Sequence, residues 1–140
     1  MPETLIFSQV YHYDTRESGI TIRVKIIGGN KVNEFSAKVD TGSSSCIFER
    51  THGEILGLDI ESGTPQIFGT AAGSFLTYGH EVTLSVLGIE TVTTVYFAAD
   101  ENFTRNVLGR QGWLNTVRLG LVDYEGKLYL SSYNQGSEIE

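Results

Sequence analysis

The chain has 140 residues, 40% of them hydrophobic and 19% charged, with a formal net charge of −7. That length is enough for one domain with its own core, residues 1–140, and no apolar run is long enough to span a bilayer. The acidic excess without any Lys/Arg cluster argues against nucleic acid as a main partner, and the single cysteine, Cys46, excludes a disulfide framework or a thiolate metal cluster.

Met1-Pro2-Glu3-Thr4 has no basic n-region and no small-residue cleavage site, so the expectation is a cytoplasmic protein that engages no membrane. Thr4 to Tyr13 reads as a first strand, with Leu5, Phe7, Tyr11 and Tyr13 turned inward, inside an N-terminal extension covering residues 1–18. Ile20 to Ile26 alternates almost perfectly and is the clearest strand. Gly28-Gly29-Asn30 then turns the chain into a strand with Phe35, Ala37 and Val39 on one face. Glu49 to Leu58 has lower β character and room for one helical turn.

Gln66 to Val86 reads as a long hairpin whose tip, Gly69-Thr70-Ala71-Ala72-Gly73-Ser74, is small and uncharged, so that backbone can approach another group closely. Taken alone, such a tip is more often an ordinary surface loop. Val82 to Leu87 and Thr91 to Phe97 pair around Gly88, and Asp100 to Arg105 is a polar excursion. Gln111 to Asn115 is expected to form a short helix with Trp113 packed inward. Val117 to Asp123 and Lys127 to Tyr133 form a closing hairpin, followed by a polar tail over residues 134–140. The sum is an all-β domain with one or two short helices.

The alternating run into Val39 ends in Asp40-Thr41-Gly42-Ser43, and a second apolar run, Cys46-Ile47-Phe48, leaves it. A carboxylate set in a turn beside a core needs donors or a shared proton, and the Thr41 hydroxyl, the Gly42 amide and the Ser43 hydroxyl are the nearest candidates. The triplet alone is weak, arising by chance in roughly one chain of this length in ten. Most such triplets are solvated turns. Other chemistries have less behind them. His12, His52 and His80 lack the spacing of a helical zinc site, and Cys46 reads as a small buried hydrophobe. No Gly-x-Ser-x-Gly elbow is present, and Trp113 reads as a core anchor. No metal and no cofactor is called for.

Asp40-Thr41-Gly42-Ser43, a glycine-tipped hairpin, Val107-Leu108-Gly109-Arg110 and a short helix occur in one order. That order resembles the single-domain, retropepsin-like aspartic peptidases of cellular, non-viral type, over roughly Ile20 to Leu130. The resemblance implies a closed β barrel equivalent to one lobe of pepsin, with Phe68 to Phe75 (Phe68, Gly69, Thr70, Ala71, Ala72, Gly73, Ser74, Phe75) as a flap over bound peptide. It implies Asp40 as the catalytic carboxylate and Thr41 as a strut reaching across a dyad. Gly42 would let substrate backbone pass, and the Ser43 hydroxyl would bond the outer oxygen of Asp40. Val107, Leu108, Gly109 and Arg110 would form the loop packed under the active turn. Viral members carry an aspartate where this chain has Ser44, which leaves Arg110 to find another partner; Glu49 is the candidate.

The chemistry of such enzymes needs two carboxylates sharing one proton, because like charges about 3 Å apart cannot both ionise. One Asp-Thr-Gly is present, and Asp14, Asp59, Asp100 and Asp123 lie in no such context. The second carboxylate must come from a second chain, so the expected enzyme is a homodimer acting on peptides or unfolded protein, best at acid to mildly acid pH. A catalytically silent module of the same fold, serving dimerisation or peptide binding, is the alternative of another class. An unrelated β-sandwich with a chance motif is a third.

Overall fold

Alternation at period two shapes most of this fold. The computed structural model describes residues 1–134. The strands in chain order are β1 (Gln9–His12), β2 (Thr21–Gly28), β3 (Lys31–Val39), β4 (Ile47–Phe48), β5 (Thr64–Thr70), β6 (Gly73–Val86), β7 (Ile89–Ala98), β8 (Val107–Leu108), β9 (Val117–Val122) and β10 (Lys127–Ser132). One helix, α1 (Arg50–Ile55), and three single 3₁₀ turns complete the described residues. The expected polar tail falls, from Gln135 onward, outside them.

Six strands close on themselves. The order β2-β3-β8-β4-β7-β6 returns to its start because β6 also pairs with β2, Ile26 opposite Leu84. Closure removes the free edges that an open sheet would present. β5 pairs only with β6, from Thr64↔Gly79 to Thr70↔Gly73, so this hairpin projects from the barrel. A second, three-stranded sheet, β1-β10-β9, packs alongside.

The inward positions of these strands make the core. Ile22, Val24 and Ile26 from β2 meet Phe35 and Ala37 from β3, Val82, Leu84 and Val86 from β6, and Val95 and Phe97 from β7. Leu128 and Leu130 of β10 belong to the same cluster, which ties the small sheet to the barrel. Burying side chains of this size stabilises the fold by about 2–3 kcal/mol each relative to exposure. Trp113 and Cys46 are buried as expected, and burial pushes the Cys46 thiol up to about 11, as suits an inert hydrophobe.

Two expectations need correction. The first strand is shorter than Thr4–Tyr13: Ser8 gives its amide to the Ser131 hydroxyl at 2.6 Å instead of continuing a ladder, and Leu5 is exposed. Phe7 still packs, tilted against Tyr129 at 5.6 Å, and Tyr11 and Tyr13 rest on the core. The helix over Gln111–Asn115 is only a 3₁₀ turn at Leu114–Thr116. Gly112 at φ 98° interrupts helical geometry just before it.

The segment after β4 does form a helix, and Gly53 is what lets it sit down. A Cβ there would lie 2.7 Å from Ile60 Cδ1 and 3.0 Å from the Phe97 ring. One residue earlier, His52 stacks on Phe35 with centroids 3.8 Å apart and planes 10° apart. Asn33 Nδ2 donates to His52 Nδ1 at 3.0 Å, and Nε2 faces Glu49 at 3.4 Å. The neutral ring therefore carries its proton on Nε2.

Burial pushes the His52 pKa below its ordinary value of 6.5, outweighing the upward pull of Glu49. The unfolded chain then takes up this proton before the folded one does. Full stability is present above about pH 6.5 and falls as pH drops from there through the lower folded value. The melting temperature of wild type should fall more steeply between about pH 7 and about pH 5 than that of His52→Gln. Calorimetry on both proteins across that range checks it, and parallel curves would refute the assignment.

Candidate active site

β3 runs out of the core at Val39 and delivers Asp40 at the barrel's open end. β8 lies parallel to β3, pairing Lys38 with Val107 and Val39 with Leu108, and is held on its other side by β4 through Ile47. A two-residue strand has little stability alone; β8 holds because it is sandwiched. The ladder continues into the turn, where the Asp40 amide donates to the Leu108 carbonyl at 2.9 Å. The Arg110 and Gln111 amides then donate to the Ser43 and Ser44 carbonyls, both at 2.9 Å.

Gly109 is the closest point of this contact. A Cβ on it would stand 2.2 Å from the Ser45 carbonyl oxygen and 2.7 Å from that of Ser43. Those neighbours are backbone, which cannot swing aside. Val107, Leu108 and Gly109 thus lie directly beneath the Asp40 turn, with Leu108 and Gly109 buried.

Of the three donors near Asp40, one is used. The Gly42 amide donates to Asp40 Oδ1 at 2.9 Å. The expected bond from the Ser43 hydroxyl is not formed; that hydroxyl donates to the Ser45 carbonyl at 2.7 Å and braces the turn. Asp40 and Thr41 are both exposed, so within one chain the carboxylate stands in an open cleft rather than beside buried donors. Nor does Arg110 take Glu49 as partner: the Glu49 carboxylate faces His52, and Arg110 forms no ion pair among the described residues.

The cleft has two arms. A cavity of about 270 Å³ lies between the turn and the β5–β6 hairpin, lined by Asp40, Gly42, Ser43, Phe68, Gly69, Thr70 and Phe75. A second, of about 560 Å³, runs from Asp40 along Lys38 and Thr21 to Arg105 and Asn106. The hairpin is anchored by rings, Phe68 edge-on to Tyr96 at 5.3 Å and Phe75 stacked on Phe103 at 4.8 Å. Beyond those rings the tip is exposed. Thr70 closes it with its hydroxyl on the Gly73 carbonyl at 2.9 Å, and Ala71, Ala72, Gly73 and Ser74 bring no large side chain to it.

Phe103, Arg105, Lys38 and Ile47 also line this cleft, and sequence reasoning passed over all four. Phe103 was the one aromatic in a polar excursion, which is the signal that was available. Among the described residues no cluster of three His, Cys, Asp or Glu side chains could hold a metal ion, and no helix there is long and apolar enough to cross a membrane.

Gly109→Ala should destabilise the fold by about 2–3 kcal/mol, because the added methyl overlaps fixed backbone. Chemical denaturation of the variant against wild type measures this. A loss below about 0.5 kcal/mol would mean that the strand pair can separate without cost.

A family model described as aspartyl protease matches residues 20–112, well over half of the chain and including both Asp40-Thr41-Gly42 and Val107 to Arg110. No curated protein sequence matches the chain. Among solved structures it is similar to EIAV protease complexed with the inhibitor HBY-793, at 22% sequence identity and a TM-score of 0.53. That match covers 67% of this chain and 84% of the other, and at such identity it speaks to the fold. The barrel, its projecting hairpin and the Asp40 turn seated on Gly109 are thus the retropepsin fold of a single lobe, and the chain belongs to the aspartyl protease family.

Proposed function

We propose that two copies of this chain form a homodimeric aspartic endopeptidase in which Asp40 and the partner's Asp40 activate water against a peptide bond. The observation that carries this reading is the exposed Asp40 carboxylate, fixed from below by backbone and lining two cavities, one of them beneath a projecting hairpin. A fixed, accessible carboxylate is half of what the chemistry requires, and a two-fold axis supplies the other half.

In the dimer one carboxylate is ionised and the other protonated. The ionised one takes a proton from the water between them as its oxygen attacks the scissile carbonyl carbon. The protonated one gives its proton to the carbonyl oxygen, and a neutral tetrahedral diol results. Collapse of the diol returns a proton to the leaving nitrogen and breaks the C–N bond. Gly42 presents no side chain toward substrate, and Thr41 lies exposed where it can brace the dyad. Closure of the hairpin, Phe68 to Phe75, covers the peptide and excludes bulk water. Val107, Leu108 and Gly109 hold the turn in register, while Arg110 binds it through its amide.

Cleavage of an unfolded protein between about pH 3 and about pH 7 tests the reading. Asp40→Ala should lose activity by about 10³-fold or more, and specific activity should fall on dilution as dimers separate. Cleavage that survives the substitution would exclude Asp40 as the catalytic group. Folded dimer with no cleavage at any pH would favour the silent peptide-binding module.

A further inference from the structure

We infer that the larger arm of the cleft is a cationic subsite, built by Lys38 and Arg105, that takes an acidic side chain of a peptide next to the scissile bond. This names a substrate class for the site and rests on the peptidase reading above. The chain carries 17 acidic and 10 basic residues, yet the cavity of about 560 Å³ beside Asp40 is lined by two cations, Lys38 and Arg105, and by no carboxylate other than Asp40. Two positive charges therefore face a single catalytic carboxylate.

Both cations are uncommitted. Arg16, Arg50 and Lys127 pair with carboxylates of the chain. Among the described residues Lys38 and Arg105 form no ion pair and no side-chain hydrogen bond, and both are exposed. Lys38 is nevertheless seated. Its stem lies over Gly19, where a Cβ would come within 2.9 Å of Cδ and 3.1 Å of Cε. Arg105 lines not only this cavity but also the one under the hairpin and a third, of about 350 Å³, beside the hairpin tip. It stands where the three spaces meet.

A glutamate or aspartate side chain entering this arm would otherwise meet Asp40 alone and be repelled. Lys38 and Arg105 reverse that sign and offer charge-assisted hydrogen bonds to the incoming carboxylate. The substrate carboxylate must be ionised to gain from them. The preference for glutamate over glutamine therefore grows as pH rises through the ordinary carboxylate range near 4.3. In a two-fold dimer the arm occurs twice, so an acidic residue is accepted on either side of the bond.

The test uses three non-cleavable peptide analogues with a hydroxyethylene core, differing only in Glu, Gln or Lys beside it, titrated calorimetrically into the dimer at about pH 6. The Glu analogue should bind about fivefold more tightly than the Gln analogue, and the Lys analogue more weakly than both. Added salt should shrink the difference. In Lys38→Gln/Arg105→Gln the Glu-to-Gln ratio should fall to about one, while Lys38→Arg keeps it. Equal binding of Glu and Gln analogues to wild type, or binding of none, overturns the subsite. A Glu preference in binding by a protein that cleaves no peptide would leave the subsite standing and remove the peptidase reading instead.

Discussion

Everything at the cleft depends on one close contact, backbone laid on backbone where Gly109 passes the carbonyls of Ser43 and Ser45. β8 is too short to stand by itself, and the Asp40 turn is braced only locally, by the Gly42 amide on Asp40 and the Ser43 hydroxyl on Ser45. Each is rigid because the other is there. The amide of Asp40 on Leu108 and the amides of Arg110 and Gln111 on Ser43 and Ser44 stitch turn to strand on both sides of the glycine. A side chain at position 109 would overlap those carbonyls and strain the bonds that join turn to strand. The carboxylate is therefore positioned by peptide groups, and among the described residues its own oxygens accept only the Gly42 amide, as the proposed chemistry requires.

That division of labour explains the contrast across the cleft. The floor is made of paired backbone and buried residues, Ser45 to Phe48 and Leu108. The roof is a two-stranded hairpin that leaves the barrel and is held to it by aromatic rings at Phe68 and Phe75. Rings slide over one another at less cost than a ladder breaks, and the small residues at the tip bring little that must be desolvated. A backbone-paired floor under a ring-anchored hairpin is what the proposed peptidase reading asks for, with geometry held at the reacting atoms while a chain of varied side chains enters.

The barrel was legible in the sequence because its inward face repeats at period two: Ile22, Val24 and Ile26, or Phe35, Ala37 and Val39, can be read directly from the text. The Asp40 and Gly109 motifs were legible for another reason, since each needs particular residue types at adjacent positions. What escaped was held by the third dimension. Lys38 alternates with Ala37 and Val39 and so reads as an ordinary solvent-facing lysine. At the end of β3, however, the outward face is the wall of the cleft. Phe103 and Arg105 reach the same wall from a loop with no periodicity at all. The hydroxyl of Ser43 was assigned to Asp40 because they are neighbours in sequence, but the turn aims it at Ser45, where it closes a local ring. The N-terminal strand was overextended because the alternation of Leu5 and Phe7 continues past Ser8, where the Ser131 hydroxyl ends the ladder.

Acid affects the stability of this fold through groups that the cleft does not use. Arg50 bridges Glu54 and Glu61 and reaches the Ala99 carbonyl, and it holds the Glu61 carboxyl below its ordinary value. What that exposed pair contributes is small and is lost only as pH falls through the lowered value. His52 begins to charge in the unfolded chain at a higher pH, so of these groups it is the first to weaken the fold on mild acidification. The same protonation relieves the self-repulsion of a chain at −7, which acts in the opposite sense. Neither His52 nor the Arg50 cluster lines the cavities beside Asp40. Stability in acid and the charge pattern of the cleft are therefore set by separate residues, and a change at α1 can shift the pH range of the fold without touching the carboxylate or the cations that face it.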